Sequence, residues 1–269
     1  MEKNKNVIEI QDVTISYNDR KAGLKAIINF SLEINRGEFI VIVGPSGCGK
    51  STILKAISDT LEPIYSEVKG RISVLNNAPQ TAREQRKVGF VFQKPTLLQW
   101  RNVERNISLP LEIIGTPKEE RKKKVFRLLK MIDLEEYAQY HPDQLSGGMQ
   151  QKISIARALA YDPDILLMDE PFGALDEINR RKMNDELIKL WEKTEKTIAF
   201  VTHSIEEAVY LGQRVVVLTK QPGTLKNIIP IELHYPRRKE MNTIKFFNYV
   251  NKIRRLLENE YDFNEKTAN

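Results

Sequence analysis

Residues 39–58 read FIVIVGPSGCGKSTILKAIS: an apolar run, a loop holding three glycines and a lysine, then a helical pattern. No other stretch limits the fold as tightly. The run Phe39–Val43 is apolar throughout and rich in β-branched residues, as in a parallel strand buried on both faces. Ile53, Leu54 and Ile57 then place apolar side chains on one side of a helix. Glycine between the two weakens the backbone unless something must approach closely or the chain must turn through positive φ. Gly44, Gly49, Lys50 and Ser51 fit the spacing G-x-x-x-x-G-K-[ST]. Strand, glycine loop and helix form an anion site, because free N–H groups converge at the helix start and the dipole adds partial positive charge. The sequence therefore predicts a phosphate cradle made by Gly44, Pro45, Ser46, Gly47, Cys48, Gly49, Lys50, Ser51 and Thr52. Lys50 is expected to reach the β- and γ-phosphates, and the Ser51 hydroxyl to ligate Mg2+.

Length and composition narrow the setting. A chain of 269 residues suffices for one large domain or for a core with a subdomain. An apolar fraction of 41 % and a charged fraction of 29 % predict a soluble globular protein, not a disordered one. The longest apolar runs are about five residues, against the roughly 20 that a membrane-spanning helix needs. MEKNKNVIEI has no apolar stretch of the secretory kind, and a single cysteine, Cys48, excludes an intrachain disulfide and fits a reducing cytosol. The net charge of +6 is modest, and no basic stretch interleaved with aromatics argues for nucleic acid.

A phosphate loop alone leaves kinase, GTPase and ATPase open. In DILLMDEPFGALD, a strand predicted from Ile165 to Met168 delivers Asp169 and Glu170 to its C-terminal end, the edge of a parallel sheet where ligands bind. Neighbouring strand residues point to opposite sides, so the two acids can divide the work: Asp169 toward Mg2+, Glu170 toward an attacking water. Upstream, in LSGGMQQKISIARALAYDP, Ser146 is a good N-cap, and Ile153, Ala156, Leu159 and Ala160 continue a helical stripe. Gly147 and Gly148 bare N–H groups at this second positive helix end. One chain thus carries two anion sites.

GPSGCGKS, LSGGMQ, ILLMDE, GALD and VTHS, in this order over about residues 7–220, resemble the ATP-binding cassette of ABC transporters. The resemblance implies an α/β P-loop NTPase core with a small antiparallel β layer and an inserted helical subdomain, acting on ATP with Mg2+. It implies that Tyr17 stacks on adenine, a strand tyrosine packed on the core being the alternative. Gln93, in GFVFQKP, would sense Mg2+ and the attacking water, Glu170 would be the general base, Asp176 would sit at a dimer contact, and His203 would touch the γ-phosphate. In such proteins two cassettes stack head to tail, so Ser146, Gly147 and Gly148 of one chain would meet the nucleotide held by Lys50 of the other. Met149 stands where many members have glutamine or arginine.

TLLQWRNVERNISLPLEI and GQRVVVLTKQPGTLK look most like the nitrate/sulfonate/taurine importer group, which also includes carriers of thiamine-precursor pyrimidines. That likeness implies separate transmembrane permease subunits, indirect work with a periplasmic-type solute-binding protein, no nucleic-acid partner, and peripheral attachment at the cytoplasmic face of the membrane. The rival is a soluble ABC-type ATPase of translation or DNA repair. Such proteins usually carry two cassettes or a long coiled-coil insertion, and this chain shows neither.

Along the chain, residues 7–36 alternate with period 2 and are predicted as short antiparallel strands around VIEIQDV and AIINFSLEI. A helical subdomain is expected at about 94–143, with a capping box of Thr116 and Glu119 around Pro117 and an apolar stripe of Val125, Leu128, Leu129 and Ile132. The run KEERKKK is read as its solvated face, and Leu97, Leu98 and Trp100 as exposed residues that grip a permease helix. The ATPase domain is drawn at 1–235. Residues 236–269 are expected to hold the end of the linker-like HYPRRKE and an amphipathic helix built on Phe246, Val250, Ile253 and Leu257, packed on its own domain or offered to a partner.

Overall fold

The computed structural model describes residues 6–18 and 23–258. Two long strands open it, β1 (Asn6–Tyr17) and β2 (Leu24–Asn35), paired antiparallel. After β3 (Phe39–Val43) and α1 (Lys50–Ile57), a further strand, β4 (Ser66–Val74), returns to the free edge of β1 and completes the sheet β2-β1-β4. The short α2 (Pro79–Glu84) leads into β5 (Val88–Val91). Neither β4 nor α2 stands out in the sequence, since β4 is largely exposed and carries three charged residues and a glycine among nine positions.

The second sheet has the order β5-β6-β7-β3-β8-β9, with β6 (Ile165–Asp169), β7 (Thr197–Val201), β8 (Arg214–Leu218) and β9 (Leu225–Pro230). All neighbours pair parallel except β9, which returns antiparallel on β8. Alternation within the central strand shows why the sheet must be covered twice. Phe39, Val41 and Val43 enter one core, while Ile40 and Ile42 enter another on the opposite face with Ile53, Leu54 and Ile57 of α1. The α1 stripe is therefore where the sequence puts it. The C-terminal edge of the sheet collects the loops that matter: the glycine loop after β3, Asp169 and Glu170 at the end of β6, His203 after β7, and a tight turn between β8 and β9.

A third core joins α3 (Val103–Ile113), α4 (Lys118–Met131) and α5 (Gly147–Leu159). Val125, Leu129 and Ile132 are buried in it, with Leu128 half-buried beside them. Two local expectations fail here. The capping box does not form: Pro117 occupies the N-cap of α4 and no side chain caps that end. Thr116 instead closes the end of α3, where its N–H donates to Leu111 O (2.9 Å) and that of Gly115, at φ +72°, donates to Glu112 O (3.0 Å). Leu97 is not exposed but 7 % accessible within the helical core, whereas Trp100 stays 73 % accessible. Asn106 causes the difference. Its side chain accepts from Leu98 N (2.8 Å) and donates to Arg101 O (2.8 Å), which folds the preceding loop down onto α3.

α6 (Glu177–Thr194), α7 (Ile205–Leu211) and α8 (Ile244–Glu258) cover the remaining face. Phe246, Val250 and Ile253 of α8 are buried against it and Leu257 packs alongside. The stretch HYPRRKE, read from sequence as a linker, is also bound down: Tyr235 packs on Trp191 with the rings tilted and 5.2 Å between their centres, and Arg237 is only 1 % accessible.

Candidate active site

The glycine loop is shaped before any ligand arrives. Gly49, at φ +96°, precedes α1 and offers it no side-chain cap, so the first N–H groups of the helix are left for a ligand. A Cβ at this position would lie 2.6 Å from Ile27 Cδ1 and 2.9 Å from Ala26 O, so only glycine lets β2 come this close. Lys50 is buried, and its Nζ donates to Gly44 O (2.9 Å) and Pro45 O (3.0 Å), folding the side chain back along the loop. Ser46 and Gly47 are exposed at the tip, while Cys48 is buried and burial pushes its thiol pKa up. Gly223, in the β8–β9 turn, backs the loop: a Cβ there would collide with the Cys48 carbonyl. Its N–H donates to Ala26 O (2.9 Å), and its own carbonyl accepts from Ile28 N (3.0 Å). This wall escapes the sequence reading; the Pro222–Gly223 pair signals a turn but not what the turn leans on.

Asp169 and Glu170 part because β6 ends at Asp169 and the backbone turns left-handed at Glu170. Asp169 accepts from the Ser51 hydroxyl at 2.7 Å, and burial pushes its carboxyl pKa up, partly offset by that bond. Glu170 leaves the strand at φ +43°, with its N–H donated to Val201 O (3.0 Å). Its carboxylate Oε2 lies 3.1 Å from Nδ1 of His203. A non-glycine residue in the left-handed region is strained, and such strain gathers at functional sites. The loop lysine, the serine–aspartate pair and the glutamate–histidine pair all stand on one edge of the sheet.

The other predicted residues occupy different positions. Tyr17 ends β1, half-buried, with its hydroxyl 3.1 Å from Thr52 Oγ1, so it stands beside α1. Gln93 is exposed in the loop after β5 and makes no side-chain hydrogen bond among the described residues. Ser146 caps α5, accepting from Met149 N at 3.3 Å, and no hydrogen bond of this cap reaches the glycine loop. A Cβ on Gly147 or Gly148 would meet only Leu175 Cδ2, at 4.0 and 3.9 Å. Asp176 is exposed and caps α6 through Asn179 N (3.0 Å), a bond that holds its carboxyl below the usual range.

The donor set around Ser51 suits a hard cation. A hydroxyl and a carboxylate oxygen converge, and among the described residues no cluster of three or more His, Cys, Asp or Glu could hold a metal by itself. Mg2+ is commonly held in this way, by one or two protein oxygens together with substrate phosphates.

Comparison with known proteins follows the same line. Residues 27–173 match the family model described as ABC transporter. An uncharacterized ABC transporter ATP-binding protein of Methanocaldococcus jannaschii is 42 % identical over 253 residues, covering 94 % of this chain and 92 % of the relative. The taurine import ATP-binding protein TauB of Rhizobium johnstonii is 44 % identical over 213 residues, covering 79 % and 78 %. Among solved structures, an ATP-binding cassette in a dimeric post-hydrolysis state with ADP and phosphate superposes with a TM-score of 0.71. It is 36 % identical and is covered completely by 84 % of this chain.

Proposed function

Since the chain belongs to the ABC transporter family, we propose that it is the ATP-hydrolysing subunit of an importer for a small sulfonate of the taurine type. The solute class rests on the likeness to a taurine import ATP-binding protein that is 44 % identical over 213 residues. The observation that carries the hydrolytic reading is the pairing of Glu170 with His203 at 3.1 Å beside the Lys50 loop.

In this reading the N–H groups at the start of α1 and the Lys50 ammonium bind the β- and γ-phosphates of ATP. Lys50 exchanges its bonds to Gly44 and Pro45 for the phosphate oxygens. Tyr17, at the same end of α1, flanks the adenine. Ser51, Asp169 and Gln93 would hold Mg2+, which would supply charge neutralisation at the phosphates. Glu170 accepts a proton from a water as the water oxygen bonds to the γ-phosphorus, and the bond to the β-γ bridging oxygen breaks with ADP leaving. His203 orients that carboxylate and faces the γ-phosphate. The roles run from the loop outward: bind, align, deprotonate.

Ser146, Gly147 and Gly148 face nothing in their own chain that requires glycine. We assign them to the nucleotide of a second copy stacked head to tail, with Asp176 near the contact. Among the described residues no helix is long and apolar enough to cross a membrane. The passage of solute is therefore given to separate permease subunits, gripped at the cytoplasmic face by the surface around Trp100, with a solute-binding protein acting on their far side. Glu170→Gln tests the reading. Turnover is expected to fall about 10²–10⁴-fold, some 3–5 kcal/mol of barrier, while ATP binding persists. Near-normal hydrolysis would remove Glu170 from the role.

A further inference from the structure

His203 sits one residue before the N-cap of α7, a helix of only seven residues. Helices shorter than about 12 residues do not hold themselves in water. Something else must fix this one, and both of its ends are tied by buried charged side chains.

At the near end, Glu207 is 6 % accessible. Its Oε2 accepts from the Thr202 hydroxyl at 2.5 Å, and Thr202 Oγ1 in turn accepts from Ser204 N at 3.0 Å. The N–H of Glu207 closes the loop by donating to Ser204 Oγ at 3.3 Å. Of the residues on either side of His203, Thr202 is therefore bound to the Glu207 carboxylate, and Ser204 is bound to Thr202 and to the Glu207 backbone. Its other oxygen, Oε1, and Asn184 Oδ1 of α6 are both buried without a partner.

At the far end, Arg237 enters from the segment after the sheet. Its Nη1 donates to Val209 O (2.7 Å), Gly212 O (2.7 Å) and Tyr210 O (3.2 Å), the carbonyls that the end of α7 leaves free. Nε donates to Leu233 O (3.3 Å), and the guanidinium lies 4.2 Å above the Tyr235 ring. No ion pair to Arg237 occurs among the described residues. A buried guanidinium without a carboxylate is costly, and here it is matched to the negative end of a helix dipole.

We propose that Arg237 and Glu207 are positioning residues for His203: clasped between them, α7 becomes a rigid carrier that holds the imidazole against Glu170. The segment after the sheet thereby belongs to the hydrolytic machinery although it touches no nucleotide. The proposal rests on the reading of Glu170 and His203 as the hydrolytic pair.

The test measures kcat and KM for ATP together with the imidazole NMR signal of His203, which is simple to assign because the chain holds three histidines. Arg237→Met is expected to lower kcat roughly tenfold with KM within about twofold, and Arg237→Lys to recover most of the loss. The His203 signal moves, while that of His141, in the helical unit, does not. Val125→Ala, which opens a cavity in the helical core, serves as the control and leaves both kcat and the His203 signal in place. If Arg237→Met does not fold, Glu207 decides. Glu207→Ala loses kcat similarly, and Glu207→Gln restores it, since the amide oxygen still accepts from Thr202 and burying an amide leaves no charge. Wild-type kcat with an unmoved His203 signal in folded Arg237→Met or Glu207→Ala overturns the proposal, and so does an equal loss in Val125→Ala. His203→Ala, measured alongside, separates the two levels: if it turns over normally, the reading of the site fails and not merely the role of α7.

Discussion

Glycine serves opposite ends at the two helix starts that we assign to phosphate. At α1, Gly49 is held at φ +96° and hemmed in by Ile27 and the Ala26 carbonyl, and Lys50 beside it is satisfied by carbonyls of its own loop. At α5, Gly147 and Gly148 lie in open space, with nothing but Leu175 at about van der Waals distance. The first glycine is demanded by the packing of this chain, so the shape of that loop is set within one molecule. Among the described residues nothing demands the second pair, which is why we assign it to a partner outside the chain. This contrast is the structural argument for a site shared between two copies.

Gly49→Ala should produce the largest change. A left-handed non-glycine residue costs roughly 1–2 kcal/mol, and forcing Cβ against β2 adds about 1–3 kcal/mol. Denaturant unfolding is expected to show the combined loss together with lost ATP binding. Retention of both would mean that β2 does not press on the loop.

Lys50→Ala comes next. It removes charge-assisted contacts worth about 1.5–3 kcal/mol, so calorimetric titration should give ATP affinity roughly 10- to 150-fold weaker in the isolated chain. Unchanged affinity would assign binding to the N–H groups alone.

Gly147→Ala should give the smallest stability effect and of the opposite sign: a gain of about 0.4–1 kcal/mol from a stiffer unfolded chain, with monomer ATP affinity unmoved. Turnover should fall all the same, because the methyl stands where a second nucleotide must approach. A destabilised variant would show that the chain itself needs this glycine.

The strength of the local signal decides what was readable in the sequence. The strand–loop–helix around Lys50 was legible because apolar run, glycine spacing and helical stripe agree with one another. The apolar run before them marked the two carboxylates as lying at the end of β6, but the left-handed turn at Glu170 that parts them carries no sequence signal. Leu97 misled because its burial is set by Asn106, nine residues on, and not by its neighbours. The Thr116 box failed because the turn closing α3 uses that residue first. β4 was invisible since a mostly exposed strand on the edge of a small sheet has no apolar face to advertise. Arg237, in a stretch crowded with charge, could not be told from its solvated neighbours; only the carbonyls left free at the end of α7 give it a reason to be buried.

The shared site is tested most directly by mixing two inactive variants, Lys50→Ala and Ser146→Arg. In a head-to-tail mixed dimer both defects fall into the same composite site, and the other site is intact at both contacts. Single-turnover hydrolysis, with mixed dimers verified by cross-linking, is predicted to return to about half of the wild-type amplitude per dimer. If the segment around Ser146 served the nucleotide of its own chain, every site in every mixture would carry one defect. Verified mixed dimers that hydrolyse nothing in a single turnover would contradict the account.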